Sequence, residues 1–351
     1  MSISLLFFQK KIKMNFGINQ KPMNGLTMVD LFCGAGIGAY GFKKAGFEIV
    51  YAIDSVQYAV DTYNRNIGSH AVCKNIKKID LADLPYADVY TGGFPCQPFS
   101  LGGEGGGVED ADKGDLGKYF LEAVRLKQPK AFFAENVKGL VTKRHMPFFK
   151  ELIRAFEDAG YKVAWRLSDC YEYGVPQIRE RVLIVGVRND LDTEFTFPDP
   201  IGQSKRVHII DAIGDLPEPS EHCGVPNHNE YYDDGFSPRY VSRNRQRQWG
   251  EPSFTICSSA RQLPLHPHPE NYDIRVRDVK VDKPPRRFTV RECLRLQTVP
   301  DDFTFSDEIP FIKQHVRCSG IPSLVAYKIS SLICEKINGA QVAKHETKIS
   351  N

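Results

Sequence analysis

Residues 27–54, TMVDLFCGAGIGAYGFKKAGFEIVYAID, decide the fold of this chain. The apolar run 27–32 predicts a buried strand, and the turn GAGIG at 34–38 follows it directly. A helix is predicted over 37–45 and a second strand over 48–53. A strand, a glycine turn, a helix and another strand in this order are typical of a βαβ unit in a parallel sheet.

The same alternation of apolar runs and helical segments continues to about residue 187. Strands separated by helices of this length form a mostly parallel sheet with helices on both of its faces. The fold class is therefore predicted to be α/β. Further strands are predicted over 70–73, 87–91, 130–134, 162–167 and 181–187, with helices over 56–66, 116–126 and 148–159.

The composition changes near residue 197, where the chain becomes rich in Pro, His, Tyr and Arg and poor in apolar runs. Residues 239–291 contain twelve Lys and Arg and five Asp and Glu, a net charge of +7, compared with +3 for the whole chain. We therefore expect a local basic surface in a second, smaller domain. The predicted division is a flexible N-terminal tail (1–26), a first domain (27–198), a second domain (199–288) and a return segment (289–351) with helices over 290–296 and 323–337.

The composition excludes several classes of protein. At 42% hydrophobic and 25% charged residues, the 351-residue chain is neither disordered nor fibrous. Its nine cysteines are odd in number and contain no Cys-x-x-Cys pair, which argues against a disulfide framework and against a bound metal. No apolar run approaches the ~20 residues of a membrane span. We expect a soluble, cytoplasmic, monomeric protein.

The residues that follow the predicted strands suggest a common site, because ligands of open parallel sheets bind beyond the carboxyl ends of the strands. A glycine turn at a helix start lets the backbone approach a ligand closely, and a carboxylate after the second strand suits ribose hydroxyls. A nucleoside-bearing cofactor is therefore expected. The run 36–41 also fits the dinucleotide pattern G-x-G-x-x-G, so the kind of cofactor stays open at this point. The residues after the strands are the 34–38 turn, Asp54, Asn75, Phe94-Pro95-Cys96-Gln97 and Glu135-Asn136.

Cys96 is a candidate nucleophile. Pro95 restricts Phe94 to extended geometry, which directs the thiol outward from the strand end. A free thiol is largely protonated near neutral pH, so nearby donors must assist it. The glycine-rich run 100–107 suits a loop that closes over a substrate, and apolar neighbours of Glu135 favour a proton-donating carboxyl. The alternatives are a buried filler cysteine, a plain surface loop and a solvent-facing carboxylate.

Five segments resemble the cytosine-C5 DNA methyltransferases, and the resemblance extends from residue 27 to 337. It implies a Rossmann-like S-adenosylmethionine-dependent methyltransferase sheet with a smaller target-recognition domain. It also implies S-adenosylmethionine as the methyl donor and a cytosine flipped out of double-stranded DNA as the acceptor. The segments are DLFCGAG (30–36), GFPCQPFS (93–100), ENV (135–137), QIRER (177–181) and RECLRLQ (291–297).

The resemblance assigns the catalytic roles. Cytosine C5 is too weak a nucleophile to attack a methyl sulfonium, so the Cys96 thiolate adds to C6 and Glu135 supplies a proton or a strong hydrogen bond at N3. Arg181 is similar to the arginine that faces the target base, while Asn136 and Arg179 support the site. The implied cofactor-binding residues are Phe32, Gly34, Ala35, Gly36, Ile37, Asp54, Ser55, Asn75, Ile76, Pro95 and Ser319, and the implied DNA-binding residues are Gln97, Ser100, Arg243, Arg245, Arg247 and Arg261.

Several positions depart from the family pattern, and all of them concern the cofactor site or its loop. Ile37 stands where a second glycine is usual, Asp54 replaces glutamate and Asn75 replaces aspartate. Cys318-Ser319 stands in place of Gly-Asn, and Lys113 in place of an arginine. The departures therefore bear on the affinity for the cofactor, and none of them changes Cys96, Glu135 or Arg181.

The branch of the family and its substrate also have alternatives. The stretch 242–267 is similar to the GGCC-recognising bacterial branch, which implies the modification enzyme of a restriction-modification system. One alternative is the tRNA-methylating branch, although its Cys-Phe-Thr signature is missing from this sequence. Another is a catalytically silent DNA binder. A nicotinamide dehydrogenase would leave Cys96 and the basic segment without a function.

Overall fold

A computed structural model describes residues 14–94, 116–267 and 285–349, with side chains to residue 343. Seven strands form one sheet in the order β3-β2-β1-β4-β5-β7-β6. The strands from β3 to β5 run parallel, while β7 is antiparallel to both of its neighbours. This confirms the predicted α/β class. The strands are β1 (Thr27–Leu31), β2 (Glu48–Asp54), β3 (Ala71–Cys73), β4 (Val89–Gly92), β5 (Ala131–Val137), β6 (Tyr161–Asp169) and β7 (Glu180–Arg188).

Helices cover both faces of the sheet. One apolar core joins one face to Tyr40, Tyr63 and Ile329, and the other joins the opposite face to Phe120 and Phe149. The helices, numbered along the described chain, are α1 (Ile37–Lys44), α2 (Gln57–Asn66), α3 (Leu116–Lys127), α4 (Met146–Asp158), α5 (Ile209–Ile213), α6 (Pro238–Val241), α7 (Val290–Leu296), α8 (Phe311–Arg317) and α9 (Ser323–Ile349). Within the described ranges no helix is both long and apolar enough to cross a bilayer.

The last helix extends beyond its predicted end. Among the side chains described to residue 343, the last buried apolar one of α9 is Ile337, where the prediction placed the end of the helix. Residues 338–349 are mostly polar, but many of them are strong helix formers and no proline interrupts them. Hydrophobic periodicity therefore marked the packed part of α9 and missed its extension.

Close contact between α1 and α9 explains two of the glycines in the dinucleotide-like run. A Cβ atom built on Gly38 would lie 2.7 Å from the Cγ2 atom of Ile321, and one on Gly41 would lie 2.6 Å from the amide nitrogen of Tyr327. The Ser323 hydroxyl also donates a hydrogen bond to the carbonyl oxygen of Ile37 at 2.7 Å. These glycines let the two helices pack closely, so the pattern needs no dinucleotide.

Three arginines counted in the basic segment lie inside the protein. Arg287 is 1% exposed, and its guanidinium lies over the rings of Phe236 and Tyr240 at 4.4 and 4.6 Å. Arg291 is fully buried, and Arg286 forms an ion pair with buried Glu292 at 2.8 Å. These three cations, which were counted in the net charge of +7, therefore contact the interior and do not add to the expected basic surface.

Candidate active site

A cavity of about 580 Å³ opens where β1, β2, β4 and β5 end. Ligands of open parallel sheets bind at this edge, beside the point where the strand order changes direction. That point lies at β1, since β2 and β3 follow on one side of it and β4 and β5 on the other. The predicted site residues that line the cavity are Phe32, Gly34, Ala35, Ile37, Asp54, Ser55, Asn75, Ile76, Glu135 and Ser319.

The turn after β1 contains two residues with left-handed backbone. Phe32 has φ 61°, which is unusual for an aromatic residue and typical of strained ligand sites. Gly36 has φ 88°, and a Cβ built on it would lie 2.8 Å from Ile67 and 2.9 Å from Tyr63. Gly36 is not among the described residues that line the cavity. Its freedom of backbone and its small size serve the turn, whereas Gly34 and Ala35 line the cavity.

Asp54 holds the glycine turn in place. Its Oδ2 atom accepts a hydrogen bond from the amide of Gly34 at 3.0 Å, and its Oδ1 atom accepts one from the amide of Val56 at 3.0 Å. Each carboxylate oxygen can accept a second hydrogen bond. The carboxylate can therefore bind ribose hydroxyls, as the sequence suggested, while it fixes the turn.

Asp30 is a residue of the cavity that sequence reasoning missed. It lies in the middle of apolar β1, is 8% exposed, and its Oδ1 atom accepts a hydrogen bond from the Thr91 hydroxyl at 2.8 Å. Burial raises the pKa of this carboxyl to about 7. The hydrogen bond from Thr91 lowers the pKa, and the nearby negative charge of Asp54 raises it. The available signal was an acidic residue inside a strand that is otherwise apolar.

Two of the positions that depart from the family pattern make local hydrogen bonds. The Oδ1 atom of Asn75 accepts from the amide of Lys77 at 3.0 Å and caps the short helical turn at 76–78. The hydroxyl of Ser319 donates to the carbonyl oxygen of Val316 at 3.3 Å. Both residues still line the cavity, so their local roles leave them beside a bound ligand.

Glu135 and Arg181 form an ion pair at the edge of the cavity. Because β7 is antiparallel to β5, Arg181 lies opposite Val137, close to the end of β5. The Nε atom of Arg181 is 2.7 Å from the Oε1 atom of Glu135, and the two side chains are only 13% and 14% exposed. The Arg181 N–H is not aligned for a hydrogen bond to this buried oxygen, so the contact between the two side chains is an ion pair.

Asn136 connects the end of β5 to the segment that follows β4. Its Nδ2 atom donates to the carbonyl oxygen of Phe94 at 3.1 Å, and this hydrogen bond is buried. The Oε2 atom of Glu135 lies 3.7 Å from the position of a Cβ built on Gly93. The chain therefore passes directly beside Glu135 just before residue 95.

Arg179 lies inside the protein behind Arg181. It is 2% exposed and donates to the carbonyl oxygen of Ile256 at 2.9 Å. Burial, assisted by the positive charge of Arg181, lowers the pKa of Arg179 to about 10. The neighbouring Gln177 accepts from the amide of Ile256 at 2.8 Å, so both residues attach the start of β7 to residues 253–256.

Part of the predicted site lies outside the described residues. This applies to Pro95, Cys96, Gln97 and Ser100, and also to Lys113. Their assignments stay predictions. In the described ranges no group of three His, Cys, Asp or Glu residues is arranged to hold a metal ion.

The four predicted DNA-binding arginines of the second region differ in their surroundings. Arg243 is exposed, and Arg261 is exposed with Asp234 3.4 Å away. The guanidinium of Arg245 lies over the ring of Tyr240 at 4.5 Å and makes hydrogen bonds to backbone and side-chain oxygens. Arg247 forms a 3.0 Å ion pair with the carboxylate four residues later. Arg243 and Arg261 are therefore the most exposed of the four, and DNA contact by any of them stays a prediction.

Comparison with known proteins identifies the family of the chain. The family model for C-5 cytosine-specific DNA methylases matches residues 26–334. The Type II methyltransferase M.MthTI of Methanothermobacter thermautotrophicus is 42% identical over 295 residues, 80% of this chain and 88% of that protein. M.FnuDI of Fusobacterium nucleatum is 36% identical over 349 residues, 92% of this chain and 98% of that protein. The structure of the S. pombe Dnmt2 methyltransferase covers 90% of this chain and 98% of its own, with a TM-score of 0.65 at 17% identity, a likeness of fold. The chain therefore belongs to the C-5 cytosine-specific DNA methylase family and is a DNA cytosine-5 methyltransferase.

Proposed function

We propose that this enzyme methylates cytosine within one short site of double-stranded DNA, with S-adenosylmethionine as donor and Cys96 as nucleophile. The observation that carries the proposal is the buried hydrogen bond from Asn136 to Phe94, which holds the chain before residue 95 next to the Glu135–Arg181 pair. The names of the relatives, Type II methyltransferases, support a role as the modification enzyme of a restriction-modification system.

The cavity suits S-adenosylmethionine in size and in chemistry. Its volume of about 580 Å³ is in the usual range for nucleoside-sized ligands. Asp54 offers oxygens to the ribose hydroxyls, and Phe32 and Ile76 offer apolar surface to the adenine. When bound, this cofactor supplies an electrophilic methyl group. Glu135 lines the same cavity, so the base and the donor would meet there.

The chemistry at the cytosine ring then depends on residues of the chain. The Cys96 thiolate forms a bond to C6, and the displaced electron pair moves toward N3, where Glu135 supplies a proton. The electron density gained at C5 allows that carbon to take the methyl group. Loss of the C5 proton to a base returns an electron pair to the C5–C6 bond, the thiolate leaves, and N3 gives its proton back to Glu135. Arg181 holds Glu135 and presents its guanidinium to the base.

Bisulfite sequencing of DNA from a host that expresses the chain tests this proposal. We expect methylated cytosines at one short GC-containing site, with a GGCC-like site as the first expectation. Cys96→Ala should abolish the signal, while Cys223→Ser, a control at a half-buried cysteine outside the cavity, should keep it. Unmethylated DNA with the wild-type chain, methylation of tRNA instead of DNA, or full activity of Cys96→Ala would each contradict the proposal.

A further inference from the structure

Arg317 is a residue of the cavity that neither the sequence motifs nor the proposed mechanism uses. It ends α8 and lines the cavity together with Ser319, Gly320 and Ile321. It comes directly before Cys318-Ser319, where the chain departs from the Gly-Asn pair usual in the family. The cavity wall here therefore carries a positive charge directly before Cys318-Ser319.

The wall that carries Arg317 is fixed to the turn after β1. Ile321 packs on Gly38 at the start of α1, and the Ser323 hydroxyl donates to the carbonyl oxygen of Ile37 at 2.7 Å. Burial raises the pKa of the Cys33 thiol, whereas the positive charge of Arg317 is close enough to lower it. Arg317 therefore lies at the glycine-turn side of the cavity.

Arg317 has hydrogen-bonding capacity that the described protein does not use. Its guanidinium lies over the ring of Tyr58 at 5.2 Å, and its Nε atom is buried with no hydrogen-bond partner. In the described ranges no carboxylate lies within 4.0 Å of it, whereas Arg286 and Arg295 have carboxylate partners at 2.8 and 2.7 Å. A buried donor without an acceptor is costly, so this nitrogen is suited to an acceptor that arrives with a ligand.

S-adenosylmethionine carries a single anionic group, the carboxylate of its amino-acid end. We infer that Arg317 binds this carboxylate. The inference rests on the proposed use of S-adenosylmethionine. Charge-assisted hydrogen bonds from a guanidinium to a carboxylate are among the strongest polar contacts in proteins. Lys74 also lines the cavity, but it is exposed and follows β3, away from the segment that packs on α1.

Calorimetry with two ligands tests the inference without any turnover. S-adenosylhomocysteine carries the carboxylate, and S-adenosyl-3-thiopropylamine is the same molecule without it. Arg317→Met keeps an unbranched apolar side chain and removes the charge. We expect it to weaken binding of S-adenosylhomocysteine by about 10- to 100-fold and to leave binding of the decarboxylated ligand within about twofold. Arg317→Lys keeps the charge but not the planar guanidinium, so it should lose less affinity for S-adenosylhomocysteine than Arg317→Met.

Lys74→Met is the matched control, because it removes another cation of the same cavity wall. It should leave the ratio of the two affinities unchanged. An equal loss for both ligands in Arg317→Met, or a selective loss in Lys74→Met instead, would overturn the inference. If Arg317→Met does not fold, Arg317→Gln is measured with the same two ligands and interpreted in the same way. Failure of the wild-type chain to bind S-adenosylhomocysteine would overturn the proposed cofactor itself.

Discussion

Replacement of Asp30 by asparagine should stabilise the cofactor-free protein increasingly as the pH rises. Asp30 is buried in β1 beneath the glycine turn, and its only described hydrogen-bond donor is Thr91 at 2.8 Å. An asparagine has nearly the same shape and can accept the same hydrogen bond. The substitution therefore removes the ionisation of residue 30 and little else.

The sign and size follow from the two pKa values of this carboxyl. Burial raises the pKa of Asp30 from 3.8 to about 7 in the folded protein, so between these values the folded chain keeps a proton that the unfolded chain has lost. The wild-type protein consequently loses stability as the pH rises toward 7, and the loss is complete above it. From about pH 5.5 to 7 this amounts to roughly 2 kcal/mol, at about 1.4 kcal/mol per pH unit. The advantage of Asp30→Asn should grow by that amount.

Thermal unfolding of variant and wild type at about pH 5.5 and 8.5 measures this difference. For a chain of this length about 2 kcal/mol corresponds to roughly 3 °C in Tm. Asp88→Asn is the control: burial opposes ionisation of Asp88, but hydrogen bonds from Lys130 and Thr27 lower its pKa below 3.8. Its difference from the wild type should stay constant over this pH range. A constant difference for Asp30→Asn as well would refute the reasoning.

Three further predictions concern catalysis and packing. Glu135→Gln should lower methyl transfer about 10²- to 10⁴-fold while DNA binding in a gel-shift assay persists; unchanged transfer would exclude Glu135 as the proton donor. Gly41→Ala should destabilise the protein to urea by about 1–3 kcal/mol, because its Cβ would press on the backbone of α9, whereas Gly339→Ala, with nothing within 4 Å, should not. Burial opposes ionisation of Glu292, but Arg286 lowers its pKa to about 2. Arg286→Met should therefore lower the free energy of unfolding by about 3–5 kcal/mol at neutral pH. That cost should shrink as the pH falls below 4.5, where the unfolded carboxyl takes up a proton, and a cost independent of pH would contradict the ion pair.

The sequence predicted the sheet better than it predicted the pairing of its last two strands. Apolar runs and the glycine turn located β1 to β5 within a few residues, because most positions of β1, β2, β4 and β5 are apolar and buried in the sheet. Periodicity does not reveal the partner of a strand, so nothing indicated that β7 would lie between β5 and β6. Patterns of burial are local, while the order of strands is a property of the whole fold.

The strand-end argument brought Asp54 and Glu135 to one cavity, but it did not separate ligand contacts from support. Gly36 packs against Tyr63 and Ile67, and a spacing rule cannot show which side of a turn a residue faces. Arg317 was missed because its link to the turn exists only in three dimensions, through contacts of residues 321 and 323 with α1.

The count of Lys and Arg between residues 239 and 291 included buried cations for a different reason. Arg287 and its aromatic neighbours Phe236 and Tyr240 are far apart in the sequence, and the rings that cover the guanidinium meet it only after folding. Arginine suits such sites, since its planar group stacks on aromatic faces while its nitrogens donate to carbonyl oxygens. A cation counted in a sequence window therefore becomes part of a DNA surface only if the fold leaves it without such partners.

The antiparallel direction of β7 is what makes the Glu135–Arg181 pair possible. The chain enters β7 at Glu180, and this start lies beside the end of β5, with Arg181 opposite Val137. If β7 ran parallel to β5, its first residues would lie at the far edge of the sheet, roughly 20 Å away at about 3.3 Å per residue. No side chain spans that distance. A purely parallel sheet would thus supply the cavity and the carboxylate but not the guanidinium, so the antiparallel pairing of β7 with β5 is what brings Arg181 to Glu135 at the edge of the cavity.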